Sequence, residues 1–157
     1  MLKYSVVFLC LFAFAKANSQ QASTTIKNAL LQDEYSAEKV VEQFFQNFHA
    51  QDTTALRAMF TKDAYLQSLS VKENKKTVSQ TSLEKFLASI ASIPAGVDFI
   101  EELTAIKSLG NDAITSVHAD YIFHLNGNLS HRGTNVFTLV FIEDRWLITQ
   151  ITDTRFY

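Results

Sequence analysis

The chain has 157 residues, 47% of them hydrophobic and 12% aromatic, which is enough for one domain with a substantial core. Its 14 basic and 16 acidic residues give a net charge of −2, and no basic stripe runs along the sequence, so we expect no nucleic-acid partner. The single cysteine, Cys10, excludes an intrachain disulfide framework and a metal site built from several thiolates.

The first seventeen residues have the pattern of an export signal. Lys3 precedes an apolar run from Val6 to Ala15, and Ala15-Lys16-Ala17 forms a small-x-small cleavage site. The run is too short to span a bilayer. We therefore expect residues 1–17 to be removed, the mature protein to be periplasmic or secreted, and no membrane span to remain. Its 12 basic and 16 acidic residues would then give a net charge of −4.

Residues 18–35 are rich in serine, threonine and glutamine and lack periodicity, which predicts a flexible tether before a domain over residues 36–157. A first helix is expected from Ser36, a good N-cap residue. Apolar residues then recur at helical spacing along one face. They are Val40, Val41, Phe44, Phe45 and Phe48.

Two more helices and a short strand follow in the N-terminal half. Asp52 or Thr53 is expected to cap a short second helix, and residues 64–69 alternate like a first strand. The lysine-rich stretch 71–80 is predicted to be a loop. Thr81 and Glu84 then form a capping box for a third helix.

The remainder of the chain is predicted to be strand. Segments rich in β-branched and aromatic residues are separated by turn sequences, of which Asn126-Gly127 and Glu143-Asp144 are hairpin signals. The predicted strands are 99–109, 113–125, 129–142 and 146–155. Helices followed by consecutive antiparallel strands predict an α+β fold with three N-terminal helices packed on one face of a curved, mostly antiparallel sheet.

This order of elements resembles the nuclear transport factor 2-like superfamily, which includes SnoaL-like and lumazine-binding-like proteins. The resemblance covers residues 36–156 and is strongest at the entry into the first strand (Phe60, Asp63, Ala64) and in the closing sequence DRWLI at 144–148. It implies a cone-shaped domain, with a strongly bent sheet wrapped around the first helix and a pocket at the open end. Because the superfamily contains enzymes as well as binding and assembly modules, the resemblance does not assign an activity.

The best-defined enzyme for comparison is ketosteroid isomerase, which has a tyrosine on its first helix, an aspartate base leaving the first strand and a protonated aspartate on a later strand. The corresponding positions here hold Phe44, Ser68 and Asn135. Phe44 cannot donate a hydrogen bond, and Ser68 cannot remove a proton from carbon at neutral pH. The isomerase mechanism is therefore not expected.

Hairpin register predicts which side chains share a face of the sheet. If Asn126-Gly127 is a two-residue turn, His118 faces Asn135 and Asp120 faces Gly133. A second two-residue turn at 143–144 extends the same face across the next strand. The result is a pocket with an apolar floor and polar groups near its mouth, suited to a small, partly apolar ligand. Its predicted ligand-binding residues are His118, Asp120, His131, Asn135, Phe137, Trp146, Gln150 and Thr152.

Three functions stay open from the sequence. A non-catalytic small-molecule-binding domain is preferred, without a cofactor or metal. A cofactor-free dehydratase or isomerase, similar in residue types to scytalone dehydratase, would use His118 and Asp120, since a carboxylate two residues along a strand can orient an imidazole. An assembly module would act through the outer sheet face. We expect a homodimer in each case.

Overall fold

The computed structural model describes residues 36–73 and 75–157; the predicted signal (1–17) and tether (18–35) lie outside them. Helix α1 spans Ala37–His49, and its N-cap is Ser36, whose hydroxyl accepts a hydrogen bond from the backbone N–H of Lys39 at 3.3 Å. The short helix α2 spans Thr53–Ala58 and is capped by Asp52. Both predicted N-terminal helices and their caps are confirmed.

The third helix, α3, spans Leu83–Ala91, one residue later than the predicted capping box implies. Its N-cap is Ser82, which accepts from the backbone N–H of Lys85 at 3.3 Å. The Glu84 carboxylate forms a bidentate pair with Arg57 of α2. None of the described helices has the length and apolar character needed to cross a bilayer.

Six strands form one curved, mixed sheet in the order β2-β1-β6-β5-β4-β3. The strands are β1 (Phe60–Lys72), β2 (Lys75–Thr81), β3 (Phe99–Gly110), β4 (Ile114–Leu125), β5 (Asn128–Ile142) and β6 (Arg145–Phe156). β1 lies parallel to β6, and the other neighbouring strands are antiparallel. The predicted α+β class and the four C-terminal strands are confirmed.

The lysine-rich stretch 71–80 forms the end of β1 and most of the edge strand β2, so the prediction of a loop there was wrong. Every residue of β2 is exposed, and its one apolar side chain, Val78, is 62% exposed. A strand that buries neither face has no alternation of apolar and polar residues. The periodicity of the sequence therefore gives no sign of it.

The core lies between α1, α3 and the inner face of the sheet. Phe44 and Phe45 of α1 pack edge-on against Phe137 of β5, with ring centroids 5.1 and 5.8 Å apart. Phe137 is fully buried. The side chains that meet the helices thus define the inner face of the sheet. This face determines which residues of the later strands point into the interior.

Two β-bulges change the predicted register of that inner face. Asn126 and Gly127 both have positive φ, and Leu125 pairs with Asn128, so the predicted two-residue turn forms. Beyond it, His124 pairs with Leu129 but Phe123 pairs with His131, which leaves Ser130 as an extra residue in β5. The pairing is shifted by one residue along the rest of β4.

The hairpin between β5 and β6 also contains a bulge that shifts its register by one residue. Its predicted pairs hold from Ile142 with Arg145 to Leu139 with Ile148. Thr138 then pairs with Gln150, so one residue of β6, Thr149, is inserted and the later pairs shift. A one-residue shift moves side chains to the opposite face, so the predicted inner residues of β4 and of the second half of β6 lie on the outer face.

The same shift places on the inner face several residues that the predicted register puts outside. Val117, Tyr121 and Ile151 are 0%, 3% and 7% exposed, so they belong to the buried side of the sheet. The regular register would place these three residues on the outer face together with Phe123 and Val136. Of the five, Phe123 also lies inward and lines the cavity, and Val136 stays outside.

Candidate functional site

A cavity of about 480 Å³ lies between α1, α3 and the inner face of the sheet. Its apolar wall contains three nearly parallel rings, Phe44 and Phe48 from α1 and Phe86 from α3. Their planes lie within 8° of one another and their centroids are 6.1 to 6.4 Å apart. Phe44 and Phe48 are four residues apart and so lie on one face of α1, and Phe86 of α3 packs against that face.

The sheet supplies the polar side of the cavity. Glu101 from β3, Tyr121 from β4, Asn135 from β5, and Asp153 and Arg155 from β6 all line it. The Asn135 amide donates to Glu101 Oε1 at 2.6 Å, and Arg155 Nε donates to Asp153 Oδ2 at 2.7 Å. Four strands therefore converge on one polar cluster, which sits against the aromatic wall of the helices.

Glu101 is a partly buried acid of this cluster, and Asp153 is 9% exposed. Burial raises the pKa of its carboxyl to about 7, the negative charge of Asp153 acts in the same direction, and the hydrogen bond from Asn135 opposes the rise. The backbone N–H of Glu101 donates to His49 Nε2 at 2.9 Å. Glu101 can thus gain or lose a proton near neutral pH inside a largely apolar cavity.

His49, at the end of α1, is held as a neutral acceptor. It receives the hydrogen bond from the Glu101 backbone at Nε2, which requires that nitrogen to be unprotonated, and burial lowers its pKa. Its role is to connect the last turn of α1 to β3 beside the cavity.

His131 lies at the opposite end of the polar side. Its ring stacks on Phe123, with centroids 4.8 Å apart, and lies 5.1 Å from the ring of Tyr157. Burial lowers the pKa of His131, and the charge of Arg155 lowers it further. The imidazole is therefore kept neutral and extends the aromatic lining from the helices onto β4 and β5.

The structure brings only part of the predicted site together. Of the eight predicted ligand-binding residues, His131 and Asn135 line the cavity. Phe137 lies in the core beneath it, in contact with Phe44. Trp146 packs against Phe141, 5.3 Å between centroids, and does not line the cavity.

The other four predicted residues, His118, Asp120, Gln150 and Thr152, lie on the outer face of the sheet. His118 pairs with Val136 across the strands and is exposed, as is Asp120, whose carboxylate accepts from the Thr134 hydroxyl at 2.6 Å. The prediction that all eight share a pocket face was wrong, because the bulge at Ser130 shifts β4 by one residue and the insertion of Thr149 shifts the later part of β6. His118 and Asp120 do not reach a molecule in the cavity.

Glu101, Tyr121, Asp153 and Arg155 are cavity residues that the sequence reasoning missed. Glu101 had a recognisable signal, because it stands between Phe99 and Leu103 in a strand whose alternate residues point inward. The other three are assigned to the outer face by the regular hairpin registers. Only the two bulges turn them inward.

The comparison with ketosteroid isomerase locates the cavity better than the hairpin registers do. Phe44, Ser68 and Asn135, the three positions that correspond to its functional residues, all line the cavity. Ser68 donates its hydroxyl hydrogen to Asp153 Oδ2 at 3.1 Å. In the described part of the chain, no group of three or more His, Cys, Asp or Glu side chains is arranged to hold a metal ion.

This chain matches the sequence model of a known family over most of its length, and its fold is similar to those of several solved structures. A family model described as "putative lumazine-binding" matches residues 32–152. A search of curated proteins gives no match. Among solved structures, an NTF2-like protein of unknown function from Shewanella baltica is 14% identical, with a TM-score of 0.53 over 80% of this chain and 94% of that chain.

Two further solved structures come from Novosphingobium aromaticivorans. The β subunit of a putative aromatic-ring-hydroxylating dioxygenase is 11% identical, with a TM-score of 0.63, covering 82% of this chain and 92% of that chain. A putative scytalone dehydratase is 14% identical, with a TM-score of 0.57, covering 82% and 87%. At such low identity these structures establish the fold alone, and they confirm the nuclear transport factor 2-like architecture.

Proposed function

Because this chain belongs to the putative lumazine-binding family, we propose that its domain binds a small, partly apolar organic molecule in the cavity between α1, α3 and the sheet. The observation that carries this proposal is the cavity itself, about 480 Å³ with an aromatic wall on one side and a polar cluster on the other. Apolar walls with a few fixed polar groups are typical of small-molecule sites.

The aromatic residues supply the apolar part of recognition. Phe44 is 4% exposed, while Phe48 and Phe86 are partly exposed at the cavity. Each ring can contact a flat apolar body, and burial of such a body stabilises a complex by roughly 25 cal/mol per Å² of apolar surface. The polar cluster would then select for a ligand with one or more hydrogen-bonding groups at one end.

The test fills the cavity from α3 and leaves the polar cluster on the sheet unchanged. Ser89 of α3 lines the cavity, and the adjacent Ala88 is exposed on the same helix but does not. We expect Ser89→Trp to abolish binding of a neutral bicyclic probe, 1-naphthalenemethanol, because the indole would occupy the space. Ala88→Trp is the matched control and should bind the probe as the unmodified protein does.

Isothermal titration with 1-naphthalenemethanol measures this directly, with circular dichroism to verify that both variants fold. Equal binding by the two tryptophan variants would place the probe elsewhere and contradict the proposal. Absence of binding by the unmodified protein at millimolar probe would contradict it as well.

We also propose that the chain is exported and processed after Ala17. The support is the sequence pattern of Lys3, the apolar run and the small-x-small site at 15–17. Intact-mass spectrometry of protein recovered outside the cytoplasm should give a chain that begins at Asn18. Retention of residues 1–17 in that material would refute processing.

A homodimer formed through the outer face of the sheet is a further proposal. The described helices pack on the inner face, while Ile122, Val136 and Val140 are partly exposed on the outer face. An isologous contact between two copies is the commonest arrangement. Light scattering should report twice the monomer mass and Val136→Lys should reduce it to one. A monomer at the highest soluble concentration would exclude this arrangement.

A further inference from the structure

Among the described residues, Glu101 is the carboxyl of the polar cluster that forms no ion pair, although the positive charge of Arg155 lowers its pKa. Its Oε1 accepts a hydrogen bond from Asn135 at 2.6 Å, and Oε2 accepts none from any described residue. Asp153, by contrast, is hydrogen-bonded to Arg155 at 2.7 Å and to Ser68 at 3.1 Å. The cluster therefore contains one neutralised carboxylate and one carboxyl with an oxygen still available to a ligand.

The charged neighbours of Glu101 favour a cation there. The titratable groups that line the cavity around it are Lys85 on α3, Tyr121 on β4, His131 on β5, and Asp153 and Arg155 on β6. His49 on α1 does not line the cavity but accepts a hydrogen bond from the backbone N–H of Glu101. Both histidines are held neutral by burial, and Arg155 is already paired with Asp153. The negative charge of Asp153 raises the pKa of Glu101 in the same direction as burial does, and the positive charge of Arg155 opposes this rise. A cation from the ligand would relieve both effects.

The rings around the cavity suit the same kind of ligand. The face of an aromatic ring attracts a cation within about 6 Å of its centroid. Phe44, Phe45, Phe48 and Tyr121 all line the cavity together with Glu101. A positively charged nitrogen in this space would meet aromatic rings and a carboxylate, while an anionic group would require Glu101 to keep its proton.

We infer that the ligand of this cavity carries a protonated amine, seated against the free oxygen of Glu101, on an apolar body that packs against the phenylalanine rings. This inference rests on the proposed small-molecule function and adds the chemical class of the ligand. The proton balance is simple: when Glu101 is protonated in the free protein, ammonium binding ionises it and one proton passes to the solvent. No covalent bond forms or breaks.

Three probes with the same ring system separate charge from shape: 1-naphthylmethylamine, 1-naphthalenemethanol and 1-naphthoic acid. At pH about 7.5 the amine should bind at least about tenfold more tightly than the alcohol, the scale of one charge-assisted hydrogen bond. Glu101→Gln should remove this preference, which is measured as the ratio of the amine and alcohol affinities within the same variant. Glu102→Gln is the matched control, because its side chain is 65% exposed on the other face of the same strand.

The proton released on binding gives an independent readout. Titration calorimetry near pH 6 in two buffers with different ionisation enthalpies counts the protons exchanged per amine bound. We expect a net release with the unmodified protein and with Glu102→Gln, and none with Glu101→Gln.

The outcomes distinguish this inference from the proposed function. If the alcohol and the amine bind equally, the cavity binds small molecules but the cationic class is wrong. If the amine preference or the proton release persists in Glu101→Gln, the role of Glu101 is wrong. If the unmodified protein binds none of the three probes, the proposed function itself is contradicted.

Discussion

Glu101→Gln should stabilise the protein at alkaline pH and leave its stability nearly unchanged in acid. In the folded protein burial raises the pKa of Glu101 from 4.5 to about 7. Below 4.5 the carboxyl is protonated in both the folded and unfolded states, so burial carries no charge penalty. As pH rises from 4.5 through 7, the unfolded state loses its proton first, and the free energy of unfolding falls.

The size of the effect follows from the difference between the two pKa values. Each tenfold change in acidity corresponds to about 1.4 kcal/mol, so a rise from 4.5 to about 7 costs the folded state about 3 kcal/mol above neutrality. Because Glu101 lines a cavity that water can enter, this value is an upper bound. Glutamine keeps the acceptor for Asn135 but cannot ionise, so the variant avoids this cost.

Urea denaturation between about pH 4 and about pH 8 measures the effect. The pKa shifts of His49 and His131 do not arise from Glu101, so their contributions cancel in the difference between the variant and the unmodified protein. The free-energy gap should grow with pH by as much as about 3 kcal/mol. Glu102→Gln provides the baseline, and a pH dependence for Glu101→Gln no larger than that of Glu102→Gln would refute the reasoning.

Further predictions concern packing and register. Phe137→Ala removes a fully buried ring and should lower the free energy of unfolding by about 3 to 5 kcal/mol, whereas Phe141→Ala, at a ring 40% exposed, should cost less, as chemical denaturation will show. Gly133→Ala should lower the melting temperature and the yield of folded protein, because a Cβ there would lie 1.7 Å from the Thr154 carbonyl oxygen. His118→Ala should leave the affinity for 1-naphthalenemethanol unchanged in calorimetry, since His118 lies on the outer face; a clear loss of affinity would contradict the observed register.

The sequence by itself determined the elements that bury one face. Helix α1 carries phenylalanines at helical spacing, and β3 to β6 alternate apolar and polar residues, so each has a periodicity that only one secondary structure satisfies. The two tight turns were also predictable, because Asn126-Gly127 and Glu143-Asp144 are turn sequences between strands. In the structure all four residues adopt positive φ. These local signals were enough for the α+β class and for the resemblance to the nuclear transport factor 2-like superfamily.

Tertiary structure decided the position of β2, the parallel pairing of β1 with β6, and the composition of the cavity. An exposed edge strand has no burial pattern, and the pairing of strands at opposite ends of the chain depends on how the whole sheet closes. The bulges at Ser130 and Thr149 interrupt otherwise regular ladders, and neither residue type marks a bulge. Because a one-residue shift reverses a strand's faces, these two insertions bring Tyr121, Asp153 and Arg155 inward and leave His118 outside.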